Sequence, residues 1–459
     1  MNKRIFREYD IRGVAQRDLS SELVEDLGRA LATHLARDNL KQTTIAVGRD
    51  CRLTSDRLFA ALSKGMQACG AKVIDIGVVS TPMLYFAAFH LKTDGAVIIT
   101  GSHNPAPDNG FKMLHGTQSI YGAEIRALRE RIENQEFLGS GPGSLETQDL
   151  LEPYLDYLVS TLELGEKRGT IVVDAGNGTG GPVAVKLYER LGYKVIPLYC
   201  EMDGRFPNHH PDPTVEANLE DLKRTVLEHG ADLGIALDGD ADRIGAVDSQ
   251  ARVLWGDQLL ILLGRALLQE KPGANIIGEV KCSQALYDEL EKAGGSAIMS
   301  KVGHSLIKAK MKETGALLAG EMSGHIFFAH RFLGFDDGVY AGARLLEILS
   351  QSGESLADHY DSLPVMVNTP EIRVACADEI KFDVVAQVTQ RMRDRDDVQE
   401  VIDVDGVRAN FGDGWGLVRA SNTEPSLVLR CEADSQARLA AIREIIESEI
   451  RRAQEKAAQ

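Results

Sequence analysis

The sequence predicts an α/β fold: three consecutive, related α/β domains with mixed parallel sheets, followed by a C-terminal α+β domain, arranged around a central cleft. Three observations support this prediction. The chain has 459 residues, which is more than one hydrophobic core usually serves. A set of three short apolar runs separated by helical stretches occurs three times, and strands that alternate with helices form parallel sheets. The residues from 366 onwards follow a different pattern.

The threefold repetition is weak in identity but consistent in order. The first runs are TIAVGRD from Thr44, TIVVDAGNG from Thr170 and ANIIGEVKCS from Ala274. The second runs open at Gly70, Gly192 and Gly294, and the third runs open at Asp94, Gly230 and Gly315. We therefore predict domains at residues 1–150, 151–252, 253–365 and 366–459.

The third run of each unit ends in a polar loop: GSHNP at 101–105, DGDADR at 238–243 and GEMSGH at 320–325. Ligands of open α/β sheets lie beyond the carboxyl ends of the strands. Since the three loops hold equivalent positions, we expect them to converge on one cleft.

The C-terminal unit begins after an extended linker around Leu363–Thr369. A helix is predicted at 379–394, then a strand meander with turn signals at Asp405–Gly406 and Gly412–Gly414. A long amphipathic helix follows, and we predict Asp434 as its N-cap.

Composition limits the possible functions. The net charge of −17 argues against a nucleic-acid partner, and no apolar run approaches the ~20 residues that a membrane span needs. The N-terminus lacks the apolar core of a signal peptide, and the six cysteines are scattered without a CxxC pair. These features predict a cytoplasmic protein with reduced thiols.

The loop DGDADR carries Asp238, Asp240 and Asp242 at alternate positions after an apolar run. Three adjacent carboxylates repel one another unless a cation joins them, and oxygen-only ligands favour a hard ion such as Mg²⁺. Arg243 directly after them suggests that an anion approaches the metal.

The loop TGSHNP displays Ser102. It lacks the GxSxG pattern of a serine hydrolase, and the adjacent His103 is poorly placed to act as its base. A serine within reach of Mg²⁺ can instead carry a phosphoryl group. Lys112, further along, is a candidate acid/base or phosphate clamp.

Two other loops suit a phosphorylated sugar. Glu321, Ser323 and His325 offer acceptors and donors for sugar hydroxyls. The loop RASNTEP concentrates donors that suit a phosphate, namely Arg419, Ser421, Asn422 and Thr423. Tyr9 and Arg12, before the first helix, give a weaker signal.

The four loops, in this order, resemble those of the α-D-phosphohexomutase family over essentially the whole chain. Within that family the bacterial phosphomannomutases/phosphoglucomutases are the most similar subgroup. The family often carries Ala or Ser where Gly101 stands, which we interpret as a tolerated small-residue change.

The resemblance implies roles for individual residues. Ser102 is the implied phosphoserine and joins the three aspartates as an Mg²⁺ ligand. Glu321 and Ser323 are expected to bind sugar O3 and O4, and the RASNTEP loop to bind the non-reacting phosphate. The resemblance also implies further cleft residues, namely Tyr9, Arg12, His103, Lys112, Arg243, Lys281, His304 and His325. Lys112 and His304 are the candidate general acid and base.

The implied reaction is a reversible transfer of a phosphoryl group between C1 and C6 of mannose and glucose phosphates, through a hexose 1,6-bisphosphate. The resemblance further implies glucose 1,6-bisphosphate as activator, a monomer, and a mobile fourth domain that hinges near Leu363–Thr369.

Three alternatives remain at this point. Phosphoglucosamine mutase is the alternative within the family. A phosphatase with Asp238 as nucleophile would leave the Ser102 and Arg419 loops unexplained. A non-catalytic sugar-phosphate binding protein would normally have lost the serine or an aspartate, and all are present.

Overall fold

The computed structural model describes residues 1–36, 42–139, 141–421 and 425–457, and four sheets form among these residues. The strands and helices of the first unit are β1 Ile11–Val14, α1 Ala15–Asp18, α2 Ser21–Leu35, β2 Thr44–Arg49, α3 Ser55–Ala68, β3 Lys72–Val78, α4 Thr81–Leu91, β4 Gly95–Ile99, β5 Asp108–His115, β6 Gln118–Ser119, α5 Ala123–Glu133 and β7 Ser144–Thr147.

The second unit contains α6 Leu151–Ser160, β8 Thr170–Asp174, α7 Gly181–Arg190, β9 Lys194–Leu198, α8 Glu220–His229, β10 Leu233–Leu237, β11 Ile244–Asp248 and β12 Val253–Leu254. The third contains α9 Gly256–Glu270, β13 Asn275–Glu279, α10 Gln284–Lys292, β14 Ser296–Ser300, α11 His304–Thr314, β15 Leu318–Gly320, β16 Ile326–Phe328, α12 Gly338–Ser352 and α13 Leu356–Asp361.

The fourth unit contains β17 Val367–Asn368, β18 Ile372–Ala375, α14 Lys381–Arg393, β19 Glu400–Ile402, β20 Val407–Asn410, β21 Gly414–Ala420, β22 Ser426–Ala433 and α15 Gln436–Ala457. Its sheet is antiparallel, in the order β17-β22-β21-β20-β19 with β18 also beside β22.

The predicted repetition is confirmed in the topology of the first three sheets. In each sheet the strand formed by the first run lies between the strands formed by the second and third runs and is parallel to both. The three orders are β4-β2-β3, β10-β8-β9 and β15-β13-β14. In each sheet an antiparallel strand, β5, β11 or β16, pairs with the third run. The loop after each third run therefore leaves its sheet at an equivalent edge.

Apolar packing joins the first three units. One cluster of buried side chains extends from Ala46 to Leu363 and contains residues of all three. The other face of the first sheet packs on α2, α3 and α5 through a separate cluster, and the fourth unit has its own core. No helix in the described ranges has both the length and the apolar character that a membrane crossing requires.

Two details of the C-terminal prediction are wrong. The N-cap of α15 is Ser435 rather than Asp434, because Ser435 Oγ accepts from Arg438 N at 3.4 Å. Part of the expected linker is already strand, since Val367 lies beside Ala433 and Thr369 N donates to Cys431 O at 2.9 Å.

Candidate active site

The serine loop follows β4 and is held in a strained conformation. Ser102 has φ +49°, in the left-handed region that costs a non-glycine residue energy and is common at functional sites. The buried guanidinium of Arg52 fixes the loop, because it donates to the carbonyls of Ser102 at 2.7 Å and Asn104 at 2.6 Å. The protein therefore presents the Ser102 hydroxyl from a rigid turn.

Gly101 is required by this arrangement. A Cβ at this position would lie 2.4 Å from Cζ of Arg52, which cannot retreat because its donors are engaged. Asp50 Oδ2 accepts from Gly101 N at 2.9 Å and pairs with Arg52. Our interpretation of Gly101 as merely a tolerated small residue is corrected: in this chain even an alanine would displace Arg52.

The aspartate loop follows β10 and faces the serine. Asp238, Asp240 and Asp242 are fully buried, and Ser102 Oγ donates to Asp238 Oδ2 at 2.8 Å. Lys112, on β5, donates to Asp240 Oδ2 at 2.8 Å and also to Asp242. The structure thus brings together the loops after the third runs of the first and second units.

The electrostatics of this cluster follow from burial and charge. Burial alone would lower the pKa of Lys112, but the carboxylates of Asp240 and Asp242 outweigh it and raise that pKa. Burial raises the pKa of Asp238 well above its ordinary value, and Asp240 and Asp242 add to this rise. The charged form of Asp238 is therefore disfavoured in this cluster, although Arg243 and Lys112 act in the opposite direction.

The aspartates fit a divalent metal ion. One carboxylate oxygen from each lies within 4.8 Å of the others. Asp240 Oδ1 and Asp242 Oδ1 are buried without a hydrogen-bond partner, which is costly unless a cation binds them. Clustered carboxylate oxygens are the ligands that Mg²⁺ prefers.

The loop GEMSGH at 320–325, which we call the sugar loop after its predicted role, follows β15. Glu321 is buried, and its Oε1 accepts from Gly303 N at 2.7 Å, which fixes one carboxylate oxygen. His325 accepts at Nε2 a hydrogen bond of 3.0 Å from Arg243 Nε. Arg243 and His325 also form a β-bridge, so the sugar loop and the aspartate loop are joined directly.

The loop RASNTEP, which we call the phosphate loop after its predicted role, begins at the end of β21 in the fourth unit. Arg419 Nε donates to Asp405 Oδ2 at 2.9 Å, and Arg419 lines the cavity. Ser421 N donates to Ser426 O at 2.9 Å and the Ser421 carbonyl accepts from Lys381 Nζ at 2.7 Å. Asn422 and Thr423 lie outside the described residues.

The N-terminal segment and the histidines complete the wall. Tyr9 Oη donates to Val302 O at 3.0 Å, and Arg12 Nη1 donates to Asn104 Oδ1 at 2.8 Å. Burial, with nearby Arg243 and Arg12, holds the pKa of His103 well below its ordinary value. Burial, assisted by Lys308, does the same for His304, so both imidazoles are neutral at pH 7.

A cavity of about 870 Å³ is lined by side chains from all the segments described above. The predicted site residues that line it are Tyr9, Arg12, Ser102, His103, Lys112, Arg243, Lys281, His304, Glu321, Ser323, His325, Arg419 and Ser421. All four units contribute to the wall. The three aspartates lie behind Ser102 and Lys112.

Some residues that support the site were missed from the sequence. Asp50 and Arg52 follow the first run of the first unit, at the same sheet edge as Ser102. That position could have predicted that they contact the serine loop. Thr81 donates to Asp240 Oδ2 at 2.5 Å, and Asp336 lies 3.0 Å from His325. Neither of these last two belongs to a recognisable motif.

Comparison with known proteins gives the class. Models described as phosphoglucomutase/phosphomannomutase alpha/beta/alpha domains I, II and III match residues 3–139, 152–251 and 255–366, and the C-terminal domain model matches 371–449. The chain therefore belongs to the phosphoglucomutase/phosphomannomutase family and is a phosphohexose mutase, an isomerase.

Individual relatives agree with this assignment. The chain is 46% identical over 452 residues to a phosphomannomutase/phosphoglucomutase of Pseudomonas aeruginosa, covering 97% of this chain and 95% of that one. It is 44% identical to a phosphoglucomutase of Neisseria gonorrhoeae, covering 94% of each. A family structure from Burkholderia thailandensis superposes with a TM-score of 0.91 at 40% identity, covering 99% of this chain and 98% of that one.

These comparisons confirm the predicted family and fold class. They do not favour phosphoglucosamine mutase. Membership of a mutase family also weighs against the phosphatase and the non-catalytic binding protein.

Proposed function

We propose that the protein moves a phosphoryl group between C1 and C6 of mannose and glucose phosphates, with phosphorylated Ser102 as the carrier. The observation that carries this proposal is the single cavity in which Ser102, Glu321 and Arg419 face one another across units one, three and four. The names of the relatives in Pseudomonas and Neisseria support mannose and glucose phosphates as substrates.

The first half-reaction is a transfer from the protein to the sugar. The C6 hydroxyl oxygen of a hexose 1-phosphate attacks phosphorus on Ser102, a new P–O6 bond forms, and the P–Oγ bond breaks. A base takes the O6 proton and Ser102 Oγ regains one. Lys112 and His304 are the candidate acid and base, and the lowered pKa of His304 leaves its imidazole unprotonated at pH 7.

The second half-reaction reverses the first at the other end of the sugar. The hexose 1,6-bisphosphate turns over in the cavity, and Ser102 Oγ attacks the phosphorus on O1. Hexose 6-phosphate is released and the phosphoserine is restored. Glu321 and Ser323 are proposed to hold O3 and O4 in both orientations, which keeps the ring in place while its ends exchange.

The non-reacting phosphate is proposed to bind the fourth-unit loop through Arg419, Ser421, Asn422 and Thr423. Tyr9, Arg12, His103, Lys281 and His325 are proposed as the remaining substrate contacts, with Arg243 near the reacting phosphoryl group. Their shared position in the cavity wall supports these roles where the structure describes them.

Ser102, Asp238, Asp240 and Asp242 are proposed to hold Mg²⁺. When bound, Mg²⁺ supplies positive charge that offsets the charge of the phosphoryl group during transfer. The unpartnered carboxylate oxygens support this site. Glucose 1,6-bisphosphate is proposed as the activator, since it would phosphorylate a free Ser102.

We further propose a cytoplasmic monomer without nucleic-acid or membrane partners. The domain limits at 1–150, 151–252, 253–365 and 366–459 are retained as proposals. We also propose that the fourth domain is mobile. We restrict its proposed hinge from 363–369 to residues 363–366, because the next residues pair with the fourth sheet.

The test is a coupled assay of hexose 6-phosphate formation from mannose, glucose and glucosamine 1-phosphates, with Mg²⁺ and trace glucose 1,6-bisphosphate. We expect turnover of the first two and its near-complete loss in Ser102→Ala. Preference for glucosamine 1-phosphate would contradict the proposed substrates. Release of free phosphate without isomerisation would contradict the transfer itself.

A further inference from the structure

We propose that Asp336 is a positioning residue that holds the proton of the His325 imidazole on Nδ1 and so keeps Nε2 as an acceptor in the cleft. No motif in the sequence points to Asp336. The consequence for catalysis rests on the function proposed above, whereas the proton position is a property of the free protein.

The contact with Arg243 shows which nitrogen of His325 carries the proton. Its Nε donates to His325 Nε2 at 3.0 Å. An arginine side chain has donors but no acceptor, so Nε2 must be unprotonated for this contact to be attractive. The single proton of the neutral ring then lies on Nδ1.

Asp336 faces that proton. Its Oδ2 lies 3.0 Å from His325 Nδ1, off the line of the N–H bond, so that the contact is mainly an attraction between the carboxylate charge and the N–H dipole. Asp242 Oδ1 also faces Nδ1, at 3.6 Å, but Asp242 belongs to the aspartate cluster and to the proposed metal site. Asp336 is therefore the carboxylate nearest to Nδ1, whereas Glu321 Oε2 lies 3.9 Å from Nε2.

Asp336 is itself firmly placed. It is fully buried, and its Oδ1 accepts from Lys308 Nζ on α11 at 3.1 Å. Its backbone forms a β-bridge with Phe327, two residues after His325. Burial favours protonation of Asp336, but Lys308 and the imidazoles of His325 and His304 together outweigh burial and hold its pKa well below the ordinary value, so the carboxylate stays charged.

The substitution Asp336→Asn turns this geometry into a test. Lys308 donates to one oxygen, so the amide oxygen of asparagine is expected to face Lys308 and the NH₂ group to face His325 Nδ1. A donor at Nδ1 opposes the Nδ1–H tautomer, whereas Arg243 still opposes the Nε2–H tautomer. The variant should therefore lose the fixed proton position and populate both neutral tautomers.

The matched control is Asp337→Asn. Asp337 is the next residue, is equally buried, and contacts Tyr154 and the backbone N of Tyr340 rather than His325. A general loss of buried charge in this segment would affect both variants. A positioning role predicts an effect on His325 for Asp336→Asn alone.

The experiment is ¹⁵N NMR of the full-length protein labelled at histidine, with Mg²⁺, at pH 8, where an unperturbed imidazole is neutral. His325→Gln assigns the His325 signal among the 11 histidines. We expect protonated Nδ1 and unprotonated Nε2 in the wild type and in Asp337→Asn, and a mixture of the two tautomers in Asp336→Asn. The kcat/KM of Asp336→Asn should fall about 10-fold, because His325 is a proposed substrate contact and its acceptor is no longer fixed.

Protonated Nε2 in the wild type would overturn the proposal, and so would a wild-type His325 spectrum in Asp336→Asn. If Asp336→Asn does not fold, Asp336→Ala replaces it, and an unchanged Nδ1–H population of His325 in that variant would overturn the proposal. Absence of mutase activity in the wild type would overturn the proposed function and leave the tautomer result standing.

Discussion

The first three units and the fourth unit are attached to the rest of the molecule in different ways. One apolar cluster includes Leu84, Tyr188 and Leu260, from the first, second and third units respectively. The contact of the fourth unit is mostly polar: Arg408 donates to the carbonyls of Val280 at 2.8 Å and Cys282 at 2.7 Å. The first three units therefore form one packed body, whereas the fourth rests on hydrogen bonds.

The apolar part of the fourth-unit contact is small. Val280, Trp415 and Leu417 form its buried cluster, and Arg408 stacks 3.8 Å from the Trp415 ring. Buried nitrogen atoms of Arg408 and Arg430 have no hydrogen-bond partner there. Interfaces between domains that are small and polar allow relative motion, so this contrast supports a fourth domain that opens and closes over the substrate.

The largest expected effect comes from removing a side chain that joins the first three units. Tyr188 is fully buried, and its hydroxyl donates to Val339 O at 2.9 Å. Tyr188→Ala should lower the free energy of unfolding by roughly 3–5 kcal/mol, because it leaves a cavity in the shared core. Tyr188→Phe, which loses only the hydrogen bond, should lower it by about 1 kcal/mol. Equal effects of the two in urea denaturation would contradict a shared core.

A pH-dependent effect should follow from Asp337 in the same body. Burial raises its pKa to about 7, although the hydrogen bond from Tyr154 acts in the opposite direction. Because this folded-state pKa exceeds the value of an unfolded aspartate, its contribution to stability is complete below about pH 4 and is lost as the pH rises through 7.

The difference in unfolding free energy between the wild type and Asp337→Asn isolates this contribution. It should favour the wild type more at pH 5 than at pH 8, by about 2–3 kcal/mol. The measurement is urea denaturation of both proteins at both pH values. A difference that does not change with pH would show that Asp337 does not titrate in this range.

A smaller effect is expected at the fourth-unit contact. Arg408→Met leaves the carbonyls of Val280 and Cys282 without their donor, at a cost of roughly 1–3 kcal/mol to the docking of the fourth unit. Hydrogen exchange should rise in β20 and β21, and KM for the sugar phosphate should rise, because Arg419 is held less firmly.

Arg438→Met is the control for that change. Arg438 lies in the same unit and pairs with Asp413 within it, at 2.8 Å, away from the contact. It should leave both hydrogen exchange in β20 and KM unchanged. If the two variants behave alike, the contact of Arg408 with the third unit does not hold the fourth unit in place.

The sequence predicted the architecture well because periodicity and loop chemistry are local signals. The order of apolar runs predicted three sheets of one topology, and Ser102, Glu321, Arg419 and other residues predicted from the loops line one cavity. The N-cap of α15 was missed by one residue, since Asp434 and Ser435 are both good caps and only the backbone geometry selects between them.

Other features depend on contacts between distant segments, which no local pattern shows. The need for glycine at 101 arises from Arg52, and the contact of Asp336 with His325 arises from the return of the chain after β16. The hydrogen bonds that attach the fourth unit likewise join residues far apart in the sequence, such as Arg408 and Val280.

The central claim is that the packed body presents Ser102 as the carrier of the phosphoryl group. The most direct measurement is mass spectrometry of peptides from the protein after incubation with glucose 1,6-bisphosphate and Mg²⁺. We predict one phosphate on the peptide that contains Ser102, its removal by excess hexose 1-phosphate with formation of the bisphosphate, and its absence in Ser102→Ala. Phosphate on the peptide that contains Asp238, or an unmodified protein that releases free phosphate, would contradict the account.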